Sequence, residues 1–294
     1  MLAEYSDYAF RSALVVYLLA MAFYAAEFAA SRTVRREPAL VAAGGGELPD
    51  RPVDEPAPRS RAERFGRMAV ALTILGALVH AGSVLARGLA AGRWPWGNMY
   101  EFASAICLVA VVAWLVVLRR QASSQLRQMG LFVLFPVVVL MFIGGTVLYA
   151  EAAPVVPALR SYWLAIHVSA IAVASGLLLV AGVASAMFLR RPTELLDRVA
   201  YRVTVVAFPI YTFAVIAGAI WAEAAWGRFW GWDPKETVAF VAWVIYAAYL
   251  HARATAGWRT RRAAWINVAG FAMVIFNLFF VNLVIAGLHS YAGV

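Results

Sequence analysis

The chain holds four histidines, His80, His167, His251 and His289, each within or at the end of a long apolar stretch. Imidazole is costly inside a bilayer, and an ionisable group there marks a functional site by default. A single one also serves as a hydrogen bond between helices, so the pattern of four is more informative. His167 lies five residues beyond Tyr162, near the start of one stretch, and His289 closes the last. His80 lies 14 residues before Trp94, and His251 lies 14 residues after Thr237. At the helical rise both then sit ~21 Å from the same face. The four sort into two levels, each with a pair of facing imidazoles. Two axial imidazoles are a ligand set of haem iron. Zinc wants four ligands, or three plus water, and no cysteine and few carboxylates lie near enough in sequence to complete such a set. Copper accepts two histidines, but nothing else points to it.

The second concentration of chemistry is WGRFWGWDPKE, residues 226–236. With Trp221 just upstream, Trp226, Trp230 and Trp232 offer broad flat contact surface at little rotamer entropy. Gly227 and Gly231 let the backbone approach a flat ligand. Arg228, Lys235 and Arg160 are cations for its carboxylates, an arginine in bidentate fashion. The competing reading is an interfacial aromatic belt. That reading suits the scattered Trp114, Trp163, Trp243, Trp258 and Trp265 better than four tryptophans in twelve residues. Asp233-Pro-Lys-Glu also has the form of a helix start, with Asp at N-cap, Pro at N1 and Glu at N3. Capping and site-building are compatible, since a rigid helix start holds the preceding loop in place.

These residues must be positioned by a membrane bundle. The chain is 64% hydrophobic and 14% charged, far from the roughly half apolar and quarter charged of soluble domains. A spanning helix needs ~20 mostly apolar residues. Candidates fall at 8–30, 66–90, 98–118, 130–150, 161–189, 201–223, 237–256 and 264–288. The fold expected is all-α: a polytopic bundle of about eight transmembrane helices. The first stretch reads as a retained helix, because no small-residue cleavage site follows it.

The net charge of +9 reflects topology and not nucleic acid. With the N-terminus outside, every one of the 25 basic residues lies on the inner side except Arg11, Arg87, Arg93, Arg160, Arg228 and Lys235. Both termini and the tryptophan-rich loop between helices 6 and 7 are then external, in the cell membrane. Residues 31–65, with GGGELPDRPVDEPAPRS, read as a disordered cytoplasmic linker, and GGGE lacks the Lys-Ser/Thr of a phosphate loop. Cys107 is the one cysteine, so an internal disulfide is excluded. Pro136 and Pro209 sit inside spans, where neighbouring groups satisfy the freed carbonyls.

Residues 226–253, WGRFWGWDPKETVAFVAWVIYAAYLHAR, resemble the tryptophan-rich WWD signature of haem-handling membrane proteins, and within that group the CcsA family, also called ResC, of System II cytochrome c maturation. The pattern is carried by Trp226, Gly227, Trp230, Trp232, Asp233, Pro234, Lys235, Glu236, Trp243, Tyr246, Tyr249, Leu250 and His251, with Val244 where Leu is usual. PWGNMYEF is similar to the family's P-x-x-N-x-YE through Pro95, Asn98, Tyr100 and Glu101, although Arg93-Trp94 stands where Gly-His is common. GLHSYAG at 287–293 matches its C-terminal histidine segment. The resemblance covers about residues 66–294, with 221–237 as the WWD segment.

The resemblance implies transport of haem b across the membrane and its presentation to apocytochrome c for thioether attachment. It makes the chain a subunit of a cytochrome c haem lyase. It implies external haem ligands at His167 and His289 and a membrane-embedded ligand at His251. The second inner ligand is His80 by depth, or a histidine of the partner. That partner is a ResB-type membrane protein with a large external domain. With no thiol pair here, thiol reduction falls to other proteins of thioredoxin-like kind. The alternative is a cytochrome b-like electron carrier, which also pairs histidines across helices but needs no exposed aromatic loop.

Overall fold

The computed structural model describes residues 1–34, 60–121, 123–155, 160–258, 261–285 and 287–289. They form eight helices: α1 Leu2–Val34, α2 Arg61–Ala91, α3 Met99–Arg120, α4 Ser124–Thr146, α5 Tyr162–Arg190, α6 Glu194–Trp226, α7 Pro234–Ala254 and α8 Arg261–Leu283. All eight are long and apolar enough to cross a membrane. The bundle is all-helical among the described residues, as expected, but most helices are longer than their apolar windows. Polar caps explain this. Ser123 accepts a hydrogen bond from the Leu126 amide at 3.1 Å and starts α4 six residues before the expected 130. Of the expected linker, 31–34 complete α1 and Ser60 caps α2, while 35–59 lie outside the described residues.

Packing follows from small residues and a few large aromatics. On α1, Phe10, Ala13, Tyr17, Ala20 and Tyr24 are buried at helical spacing, forming one stripe against α2 and α4. Small residues dominate such surfaces because apolar lipid supplies no hydrophobic drive, so close approach decides association. Trp114, expected in a boundary belt, is fully buried and meets the Tyr24 ring edge-on at 5.6 Å. Its place on α3 turns it inward, a matter of helix phase that depth in the membrane does not reveal. The other half of the bundle joins α5 to α6 and α8, and α7 to α8. Ala174, Leu178, Tyr211 and Tyr246 form its buried centre.

Polar contacts staple helices at both ends. At one end, Glu27 of α1 pairs with Arg127 of α4 at 2.6 Å, and Asp197 of α6 with Arg253 of α7 at 2.5 Å. At the opposite end, the buried Glu101 carboxylate accepts from Arg87 at 3.1 Å, from Arg93 at 2.7 Å and from the Gly97 amide at 2.7 Å. Glu101 thereby folds the α2–α3 loop and sets Trp96–Asn98 in place.

Removing one member of a buried pair leaves a charge without its counterion, at a cost of ~3–5 kcal/mol. Glu27 is 2% exposed at its side chain. Glu27→Ala should therefore lower the thermal stability of the detergent-purified chain sharply, and Glu27→Ala with Arg127→Leu should recover part of the loss. Equal melting of the single and double variants would contradict this account.

Candidate functional site

The site begins where α6 ends. Trp221 lies on the penultimate turn of α6 and is 2% exposed; Trp226 is the last helical residue, and Gly227, at φ +72°, ends the helix. The helix thus runs three residues past its expected end at 223 and takes in Trp226, and 227–233 alone connect α6 to α7. Trp221 meets Trp226 edge-on at 4.8 Å. The connection closes on a capping box: Asp233 accepts from the Lys235 amide at 3.3 Å, and Glu236 accepts from the Asp233 amide at 3.1 Å. Glu236 also takes the Gly231 amide at 2.9 Å. This doubly used carboxylate holds Trp232 at φ +56°, the one non-glycine at positive φ among the described residues. Such a conformation costs ~1–3 kcal/mol and persists only when neighbours over-determine it.

Asp233 does more than start a helix. Its Oδ1 accepts from the Leu288 amide at 2.8 Å, and its Oδ2 accepts from His289 Nδ1 at 2.8 Å. One carboxylate therefore joins the α7 start to the C-terminal segment. Burial by itself raises the Asp233 carboxyl, but the hydrogen bonds from Leu288, His289 and Lys235 outweigh it, and the net shift is downward. His289 is pushed down to about 4, chiefly by burial and then by the Lys235 charge, against the pull of Asp233. The imidazole is neutral at physiological pH, with its proton on Nδ1 and its lone pair on Nε2. Gly287 makes the approach feasible, since a Cβ there would lie 2.8 Å from Asp233 Oδ1.

His167, on the second turn of α5, is arranged the same way. Its Nδ1 donates to the Ala214 carbonyl of α6 at 2.8 Å, leaving the lone pair on Nε2. The ring lies on the α6 backbone at Gly218, where a Cβ would meet Nδ1 at 2.7 Å. Trp221 touches both imidazoles, stacked on His167 at 6.2 Å and edge-on to His289 at 5.8 Å. An Nδ1–H tied to a carbonyl or a carboxylate is the usual outer arrangement of a histidine that binds metal through Nε2.

Both histidines border one cavity of about 1410 Å³, counted to its open mouth. Its upper wall holds Trp96, Trp221, Trp226, Phe229 and Trp230, and it descends between α3, α5, α6 and α8 to Leu179, Tyr211 and Phe271. Leu179 lies 12 residues beyond His167 on α5, ~18 Å deeper. The space is largely apolar and opens at its mouth to flat aromatic rings, as small-ligand sites commonly do. It suits a broad flat molecule held at its rim by two imidazoles.

The remaining expected residues fall elsewhere. Trp232 is 65% exposed and packs on Trp230 and Phe240, outside the cavity lining. Arg228 lies over Gly231, and Arg160 donates to the Val155 carbonyl at 3.2 Å; neither lines the cavity, whereas Lys235 does. The expected inner pair is not brought together. His80 is fully buried, its Nε2 2.8 Å from Ser104 Oγ and its Nδ1 3.4 Å from the Tyr17 hydroxyl. Phe10 and Tyr17 flank it edge-on at 6.0 and 5.9 Å. His251 is exposed on α7, which packs on α6 and α8, while α2 packs on α1, α3 and α4. The true helix ends also separate their levels. His80 is 11 residues from the end of α2 and His251 17 residues from the start of α7, or ~17 and ~26 Å. Gly218, Gly287 and the second use of Glu236 have no signal in the sequence, since each depends on which helix faces it.

Over residues 96–289 the chain matches the family described as Cytochrome C assembly protein. It is 33% identical over 272 residues to the cytochrome c biogenesis protein CcsA of Synechococcus sp. (strain RCC307), spanning 80% of this chain and 86% of that one. The chain belongs to the CcsA family. CcsA of Gloeobacter violaceus (strain ATCC 29082 / PCC 7421) is 31% identical over 296 residues, spanning 77% of this chain and 85% of the relative. Among solved structures, Cytochrome c Heme Lyase CcmF superposes with a TM-score of 0.70, covering 95% of this chain and 47% of CcmF. At 17% identity that is a likeness of fold. The chain is a multi-pass membrane protein of cytochrome c assembly, which sets aside the electron-carrier reading. The matched region opens at Trp96 and closes at His289, both in the cavity wall; His80 precedes it.

Asp233→Asn keeps a good N-cap and removes the charge that His289 leans on. Asp233 has a folded value below its unfolded ~3.9, so its stabilisation is complete above that pH and is lost as pH falls through the folded value. The variant should melt lower than wild type at pH 7, by ~1 kcal/mol, and the gap should close in acid. A gap that is constant with pH would show that the charge contributes nothing.

Proposed function

We propose that the chain carries haem b across the membrane and holds it at the outer surface, iron between His167 and His289, for attachment to apocytochrome c. The observation that carries this reading is the matched pair of imidazoles, each with Nδ1 tied down, at the rim of one large aromatic-walled cavity. Neutral imidazole is the form that ligates, and two such ligands keep oxygen from the iron of a free haem. Trp221, Trp226 and Trp230 give the flat faces of contact. Asp233 acts by orienting His289, and Trp232 by shaping the turn.

The charge bias of the loops supports an external site in the cell membrane, facing the compartment where apocytochrome c is met. There the Cys-x-x-Cys-His of the apoprotein meets the held haem. Its histidine replaces one of the two imidazoles. Each thiol adds across a vinyl: an S–C and a C–H bond form as the S–H and the vinyl π bond are lost, and no oxidant is consumed. The chain contributes position, which by itself supplies large effective molarity. We place it as one subunit of a haem lyase, with a ResB-type membrane partner and a thioredoxin-like protein that keeps the thiols reduced. Exposed His251 supports an inner site completed by that partner, since the closely packed His80 leaves no space for a ligand beside it.

The absorption spectrum of the chain, purified with its partner, tests this. Wild type should show low-spin haem. His167→Gly with His289→Gly should lose it, and added imidazole should restore it. An unchanged spectrum in the double variant would place the haem elsewhere.

A further inference from the structure

Among the described residues, the cavity lining holds one lysine, and no carboxylate reaches salt-bridge distance of it. The lining includes Lys235 and Glu236. Glu236 is spent on the Gly231 and Asp233 amides, and both Asp233 oxygens accept from Leu288, His289 and the Lys235 amide. Lys235 Nζ donates to Asn282 Oδ1 at 2.6 Å, and among the described residues no carboxylate forms a salt bridge with it. Asn282 is fixed in turn by its own Nδ2, which donates to the Leu278 carbonyl at 2.6 Å. An ammonium has three N–H donors, and Asn282 takes one.

We infer that Lys235 binds a carboxylate of the cargo, and that it, not Arg228 or Arg160, sets which edge of the porphyrin faces the α7–α8 wall. The assignment rests on the haem reading above and deepens it. Three observations carry it. Lys235 lines the cavity and the two arginines do not. The neutral Asn282 orients the ammonium without neutralising it. The rest of the wall is largely apolar, so an anion entering it finds this partner and few competing donors. Haem presents two propionates on one edge and apolar groups on the other. A cation on a single wall converts that asymmetry into orientation. The α2–α3 loop, which supplies Trp96 and Asn98, belongs to the opposite half of the bundle, because α3 packs on α2, α4 and α5 while α7 packs on α6 and α8.

The test compares haem b with its dimethyl ester, which keeps the iron and the ring but has no carboxylate. Both are titrated into the full chain in detergent, as wild type, Lys235→Met and Arg228→Met, with affinity and spin state read from the spectrum. Wild type and Arg228→Met should prefer the free acid about tenfold, the effect of one charge-assisted hydrogen bond. Lys235→Met should bind acid and ester alike while keeping the low-spin spectrum, which also shows that it is folded. Equal affinity of wild type for acid and ester overturns the inference with no variant needed, as does loss of preference in Arg228→Met. Absence of any low-spin complex in wild type sinks the haem reading itself, a result distinct from a low-spin complex without discrimination.

Discussion

The Asp233 carboxylate holds the cavity end of this bundle together. It caps α7, takes the Leu288 amide and orients His289, each at hydrogen-bond distance. Through it Leu288 is tied to the α7 start and His289 carries its proton on Nδ1. The group is one turn from Glu236, which fixes the preceding turn by two amides. Two carboxylates at the first turn of α7, Glu236 gripping the loop behind and Asp233 the C-terminal segment, turn the connection between α6 and α7 into a rigid rim. Rigidity matters because a ligand held by two side chains from different helices is only as well positioned as those helices are to each other.

The second half of the rim is built by a different device. His167 lies against bare backbone at Gly218 and donates to the Ala214 carbonyl. A residue with any side chain at 218 would occupy the space of the ring. Trp221, buried on α6, packs against both imidazoles. The aromatic surface that is visible in the sequence as a cluster divides by role. Trp221, Trp226 and Trp230 wall the cavity, while Trp232 faces out over Phe240.

Across the cavity mouth, at the α2–α3 loop, Glu101 gathers Arg87, Arg93 and the Gly97 amide. Buried ion pairs are weak as sources of stability but strict about geometry. Here they fix the loop that brings Trp96 to the cavity. The same reasoning separates Arg93, committed to Glu101, from Lys235, held by a neutral asparagine. Both are cations near the outer face in sequence, yet only one is left with charge to offer.

The sequence by itself determined the eight spans, the start of α7 at Asp233-Pro234, the place of the tryptophan-rich connection between α6 and α7, and the family. These are legible because each is local: apolar runs, cap residues and a dense motif need no partner to be recognised. Depth along a helix was also legible, and it paired His167 with His289. Depth fails for His80 and His251 because it is one coordinate of three. The azimuth of a side chain, and which helix it faces, are decided by packing. Packing placed His80 between Tyr17 and Ser104 and turned Trp114 into the core. It also chose Lys235 over Arg228 as the cation of the cavity and made Gly218 and Gly287 indispensable. Each of these follows from close approach between segments distant in the chain, which no spacing of residues along the chain encodes.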